Sequence, residues 1–134
     1  MTASIRGGVI AAGEGSRLRA DGWTVCKPLV EVAGVPLIGA VLRNFAKAGV
    51  TALTIIVNQS EQDCVEWVRG RYPELDIEFI VKTTASSLES FREVTASGPA
   101  GSMLLSTVDA WCAPEDFARF ARQAAARPDD ATVL

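Results

Sequence analysis

The sequence predicts an α/β fold, a mostly parallel sheet sandwiched between helices, and three observations carry that expectation. Strand-like and helix-like segments alternate along all 134 residues, the pattern of repeated strand–helix crossover units. The leading strand candidates are near-continuous apolar runs, as strands buried on both faces require. Hydrophobic residues make up 49% and charged residues 22% of the chain, enough for one domain with a real core.

Ile5 to Ala11 reads as a buried parallel strand. Residues 13 to 36 show little periodicity and read as a long loop, a length that points to function. Pro36 opens a helix to about Lys47, with Leu37, Ile38, Val41, Leu42 and Phe45 on one face and Gly49 as its stop. Leu53 to Val57 is the second strand. Ser60 and Asp63 stand at capping-box spacing before a helix to about Arg71, which turns Cys64, Val65, Trp67 and Val68 inward. Ile77, Phe79 and Val81 alternate with Glu78 and Ile80, which suits a strand near a sheet edge. A helix from about Ser87 to Thr95 is expected to bury Leu88, Phe91 and Val94. Met103 to Val108 is an apolar strand closed by Asp109. Pro114 suits the first turn of a helix to about Arg127, with Phe117, Phe120, Ala121 and Ala124 inward. Ala131 to Leu134 begins as a strand, and no repeat, low-complexity segment or linker divides the chain.

Composition narrows the function. A net charge of −3 leaves no basic footprint for nucleic acid. No apolar run approaches the roughly 18 residues of a membrane span. The N-terminus lacks a charged-then-apolar signal pattern, so a cytoplasmic location is expected. The three cysteines, Cys26, Cys64 and Cys112, are too few and too scattered for a disulfide framework or a metal-ligand pattern. Cys64 and Cys112 read as small buried apolar residues. Cys26 stands beside Lys27, whose ammonium would lower a thiol pKa. The absence of histidine removes Ser-His-Asp and Cys-His catalysis and histidine-ligated zinc.

The chemistry concentrates in Val9-Ile10-Ala11-Ala12-Gly13-Glu14-Gly15-Ser16-Arg17-Leu18, followed by Lys27-Pro28-Leu29 and Gly34-Val35-Pro36-Leu37. An apolar strand runs into a glycine-rich turn whose N–H groups can line one concavity, a shape that suits phosphate oxygens. Arg17 and Lys27 add fixed positive charge for the same anion. A dinucleotide-binding loop would need a third glycine where Leu18 stands, a helix directly on the phosphates and an acid closing the second strand, which ends in Asn58. The glycine–lysine–serine/threonine ending of a P-loop is absent.

This two-part pattern resembles the nucleotidyltransferases that activate sugar phosphates, phosphocholine or molybdopterin with a nucleoside triphosphate. Ala11 to Leu18 match the first half of that family's signature. In the second half Cys26 stands where a proline is usual, while Lys27, Pro28, Leu29, Gly34, Pro36 and Leu37 match. The resemblance implies a Rossmann-like α/β/α sandwich of the GT-A-like nucleotide-diphospho-sugar transferase type. It covers nearly all of the chain, but only the nucleotide-binding part of a typical member. Residues 1–134 are accordingly expected to be that part, truncated at the C-terminus, with the acceptor-substrate part not present.

The resemblance also implies roles. Ala11, Ala12, Gly13, Gly15, Ser16 and Arg17 would wrap the nucleotide, and Arg17 and Lys27 would neutralise charge on the reacting phosphates. Asp109, at the C-terminal end of a strand, matches the family's magnesium-binding aspartate, and magnesium favours one or two carboxylates plus phosphate oxygens. The family's second metal carboxylate comes from a later strand and has no counterpart before Leu134. Lys82-Thr83-Thr84-Ala85-Ser86-Ser87-Leu88 resembles the base-reading segment, with Thr84 and Ser87 as candidate contacts. Ser86 or Ser87 serves equally well as a helix cap. Asn58 would bound the base pocket, and Trp23 and Trp111 flank the site in a core or lid role.

The implied reaction is transfer of a nucleoside monophosphate from a nucleoside triphosphate to a phosphorylated acceptor, with release of pyrophosphate and Mg2+ as cofactor. A non-catalytic nucleotide-binding module is the alternative. A glycosyltransferase of similar fold would want an Asp-x-Asp motif, which Asp109-Ala110-Trp111 lacks. Base, acceptor and oligomeric state are left open, a homo-oligomer included.

Overall fold

The computed structural model describes residues 5–13, 20–22, 24–99 and 101–131. Its apolar runs become one parallel four-stranded sheet, built from β1 (Arg6–Ala11), β4 (Ala52–Val57), β5 (Asp76–Val81) and β6 (Met103–Thr107) in the order β5-β4-β1-β6. In register, Gly8 lies between Thr54 and Leu105, and Ile56 beside Ile80. The chain steps outward from β1 to β4 and β5, then returns to lay β6 on the other side of β1. The strand order therefore reverses between β1 and β6. Among the described residues β5 and β6 are the edges, as the alternation in β5 predicts.

Helices cover both faces. On one, α1 (Leu37–Lys47), α2 (Gln62–Arg71) and α4 (Pro114–Ala125) close over Val9, Ala11, Leu53, Ile55 and Val57. Ile38, Leu42 and Phe45 of α1 are fully buried there, and Phe45 meets Phe117 edge to face at 5.0 Å. On the other face, Val94 of α3 (Ser87–Ala96) packs with Ala12 and Ile56, flanked by Ile10, Ile80, Met103 and Leu105. The α1 helix stops where Gly49 adopts φ +81°. The Gly49 N–H bonds the Ala46 carbonyl and the Val50 N–H bonds the Phe45 carbonyl, both at 3.0 Å, a Schellman ending.

Four expectations are corrected. The loop before α1 carries an antiparallel hairpin, β2 (Glu31–Val32) and β3 (Val35–Pro36), after a single 3-10 turn at Lys27–Leu29. Its two-residue link, Ala33-Gly34, has positive φ at both positions (+51° and +79°), as a right-twisted hairpin requires. The α2 helix starts at Gln62 with Glu61 at its N-cap. Ser60 instead donates its N–H (2.9 Å) and hydroxyl (2.6 Å) to Asn58 Oδ1. On α3, Val94 is buried as expected, but Leu88 is 67% and Phe91 42% exposed. The reason is the closeness of α3 to β1: a Cβ on Gly8 would sit 2.7 Å from Val94 and 2.6 Å from Leu105. So near a bare backbone, only Ser90 and Val94 fit beneath the helix. Finally, Trp67, Phe120 and Ala124 are half-buried rather than inside, and so is Cys112. Of the strand start expected at 131–134, residues 132–134 lie outside the described residues.

Candidate functional site

In an open parallel sheet, the crevice beyond the carboxyl ends of the strands opens where the strand order reverses. Here that point lies between β1 and β6, and the loops leaving β1, β4, β5 and β6 all emerge at this end. The first carries Ala11, Ala12 and Gly13. Ala11 and Ala12 are buried, while Gly13 is exposed and a Cβ built on it would meet nothing within 4 Å. Neither packing nor a left-handed φ demands glycine at this position. Gly15, Ser16 and Arg17, like Glu14, Leu18, Arg19 and Trp23, lie outside the described residues.

Asn58 follows β4 and is 3% exposed. Its amide donates to the Gly13 carbonyl (3.2 Å) and to Glu61 Oε1 (2.9 Å), while its own oxygen holds Ser60. The side chain thus fastens the loop after β1 to the loop after β4. After β5, the Lys82 N–H bonds the Val57 carbonyl at 2.9 Å, and Thr84 shares a 2.6 Å hydrogen bond with Ser90. Ser86 is the cap of α3, accepting from the Glu89 N–H at 3.2 Å, while Glu89 accepts from the Ala85 N–H at 2.7 Å. Ser87 is the first helical residue and is exposed.

The charged pair stands on the other side. Lys27 heads the 3-10 turn, whose Pro28 is buried and whose Leu29 N–H bonds the Cys26 carbonyl at 2.9 Å. The Leu37 N–H on α1 bonds the Val30 carbonyl at 2.9 Å and pins the turn. Asp109 leaves β6, where the Val108 N–H prolongs pairing to Ile10 at 3.1 Å and the Ala110 N–H closes on Thr107 at 3.3 Å. Lys27 Nζ donates to Asp109 Oδ2 at 2.8 Å, with side chains 33% and 52% exposed. This ammonium holds the Asp109 carboxyl below its usual range; partial burial opposes the shift and the Thr107 hydroxyl adds to it. Sequence reasoning did not single out Thr107, although a hydroxyl two residues before a strand-end acid is a readable signal.

Two further expectations change. Burial pushes the Cys26 thiol up rather than letting Lys27 lower it, and it pushes the Cys64 thiol up to about 12. Trp111 is half exposed and so is not a core residue. Among the described residues no group of three or more acids, cysteines or histidines could hold a metal on its own. A lone, half-exposed carboxylate at a strand end fits a magnesium ion whose other ligands are phosphate oxygens. No helix among the described residues is long and apolar enough to cross a membrane.

Comparison with known proteins places these features in company. Residues 7–134 match the family described as the MobA-like NTP transferase domain. The CMP-5'-(3-aminopropyl)phosphonate synthase of Streptomyces rubellomurinus is 32% identical over 90 residues, 67% of this chain and 14% of that one. The 2-aminoethylphosphonate cytidylyltransferase of Lancefieldella rimae is 32% identical over 95 residues, 67% of this chain and 38% of that one. The chain thus spans well under half the length of either relative. A solved nucleotidyl transferase from Methanothermobacter thermautotroptrophicus superposes with a TM-score of 0.67 at 22% identity, over 89% of this chain and 57% of that one. At that identity the likeness speaks for the fold, a Rossmann-like α/β arrangement.

Proposed function

The chain belongs to the MobA-like NTP transferase domain family, and from that premise we propose that it binds a nucleoside triphosphate for transfer of the nucleoside monophosphate to a phosphorylated acceptor. One observation supports the reading: Gly13 follows β1, and Asp109, paired with Lys27, follows the neighbouring β6, at the end of the sheet where the strand order reverses. The acceptor oxygen attacks the α-phosphorus, the bond to the bridging oxygen breaks, and pyrophosphate leaves. No protein nucleophile is needed. Lys27 and Arg17 neutralise charge on the phosphates, and backbone donors after Ala11 orient them. Asp109 is the residue to hold magnesium together with phosphate oxygens; the ion would supply further charge neutralisation at the transferring group. Thr84 and Ser87 take the role of base contacts, and Asn58 acts by fixing the Gly13 loop.

CTP is the first nucleotide to try, since both relatives are named for cytidylyl products, with aminoalkylphosphonates as the first acceptors and sugar 1-phosphates, which the sequence resemblance implies, as the second. Calorimetry with the four ribonucleoside triphosphates and magnesium tests the binding step. At least one should bind more tightly than about 1 mM, roughly −4 kcal/mol. Arg17→Ala should weaken binding by about 1.5–3 kcal/mol, the range for a hydrogen bond to a charged group, and Arg19→Ala by almost nothing. Binding by none of the four, or equal losses in the two variants, defeats the reading. Pyrophosphate release tests the transfer step.

A further inference from the structure

The ion pair at the crevice carries a consequence for how metal and nucleotide enter. Lys27 and Asp109 both project from fixed backbone, one from the turn pinned to α1 and one from the turn that closes β6. Between these anchors the lysine stem is the flexible part, and its ammonium sits 2.8 Å from Asp109 Oδ2. A cation therefore already rests on the carboxylate that would help to hold a metal. Two positive charges cannot share that oxygen cheaply, because at about 4 Å they repel through only partial solvent screening. A triphosphate offers the ammonium another anionic partner within the same crevice.

We infer that Lys27 is a built-in stand-in for the metal. It blocks Asp109 against free divalent cations and releases it when a triphosphate draws the ammonium away. The inference rests on the reading of Asp109 as the metal carboxylate. Nucleotide and metal then favour each other's binding through one mobile side chain, and the protein discriminates against metal that arrives without nucleotide. The coupling is reciprocal, as binding linkage requires.

The test uses Mn2+ alone, titrated into the protein and followed by water-proton relaxation, with a thermal melt on each variant. Wild type should bind Mn2+ weakly. Lys27→Met should bind it about three- to tenfold more tightly, the scale of a part-exposed ion pair plus the lost repulsion. Lys27→Arg, which keeps the charge, should stay within about twofold of wild type, and Asp109→Asn should lose the site. If Lys27→Met binds no more tightly than wild type while Asp109→Asn loses the site, the stand-in is wrong and the metal assignment survives. The stand-in is equally wrong if Lys27→Arg binds as tightly as Lys27→Met. If Asp109→Asn binds Mn2+ like wild type, free cations do not bind at Asp109 and the inference falls. Should Lys27→Met melt early, a second measurement decides. In EDTA, Asp109→Asn leaves Lys27 unengaged and should bind metal-free CTP at least threefold more tightly than wild type; equal affinity overturns the stand-in.

Discussion

Alanine at Gly13 separates the ligand's demands from the fold's. A Cβ at this position meets nothing within 4 Å, and the residue is not among the positive-φ glycines. Its carbonyl stays bonded to Asn58 in either case. The folded state should therefore accept the methyl, and the reduced freedom of the unfolded chain should raise stability by about 0.4–1 kcal/mol. Nucleotide binding should behave oppositely. If the open space belongs to a phosphate, the methyl overpacks it at about 1–3 kcal/mol, about five- to 150-fold in affinity. Gly8→Ala provides the contrast: its Cβ would lie 2.6–3.0 Å from Leu105, Val94 and Met103, so it should lose about 1–3 kcal/mol of stability. Urea midpoints and CTP calorimetry on the two variants suffice. Unchanged affinity in Gly13→Ala would refute the idea that phosphate occupies this space, and a clear loss of stability there would refute the claim that the fold leaves it open.

Other outcomes follow from single features. Asn58→Ala should lower stability by about 2 kcal/mol, because the buried bonds to Gly13, Glu61 and Ser60 go together; hydrogen exchange should speed up at Ser60, whose N–H loses its acceptor, in the same variant. Ala33→Asn should stabilise by about 0.5–1 kcal/mol in urea melts, since the φ of +51° suits asparagine better than alanine. The folded Asp109 carboxyl lies below its ordinary 3.8, so its contribution is complete above that pH and disappears as pH falls through the lowered value. Asp109→Asn should thus cost about 0.5 kcal/mol at pH 7, discounted for exposure, and progressively less as the pH falls below 3.8, as urea midpoints across that range would register. Cys64, with its thiol pushed up to about 12, should resist Ellman's reagent at pH 8 until the chain unfolds.

The alternation of strands and helices was readable because buried parallel strands are apolar throughout and each crossover helix carries one apolar stripe. What escaped depended on partners far away in sequence. Leu88 and Phe91 look like core residues on helical spacing alone, and only the bare backbone of Gly8 beneath α3 explains why Val94 goes under and they stay out. The Ala33-Gly34 hairpin was hidden because alanine is a poor residue for a positive φ. At the site, the glycine turn, Lys27 and Asp109 could each be picked out by residue type. That Lys27 and Asp109 touch, and that Asn58 fastens the Gly13 loop, required knowing that β4 and β6 both flank β1.

The central place of β1 also sets a timetable for folding. The earliest strand of the sheet has neighbours that come much later: Gly8 pairs across to Thr54 on one side and to Leu105 on the other. On the ribosome, its first edge stays open until β4 emerges, and its second until β6 does. Contacts so distant in sequence carry a loop-closure cost before they form, which slows completion of the sheet. Until β6 emerges, a strand with one unpaired edge waits in the open, where chaperones and stray strand edges can reach it.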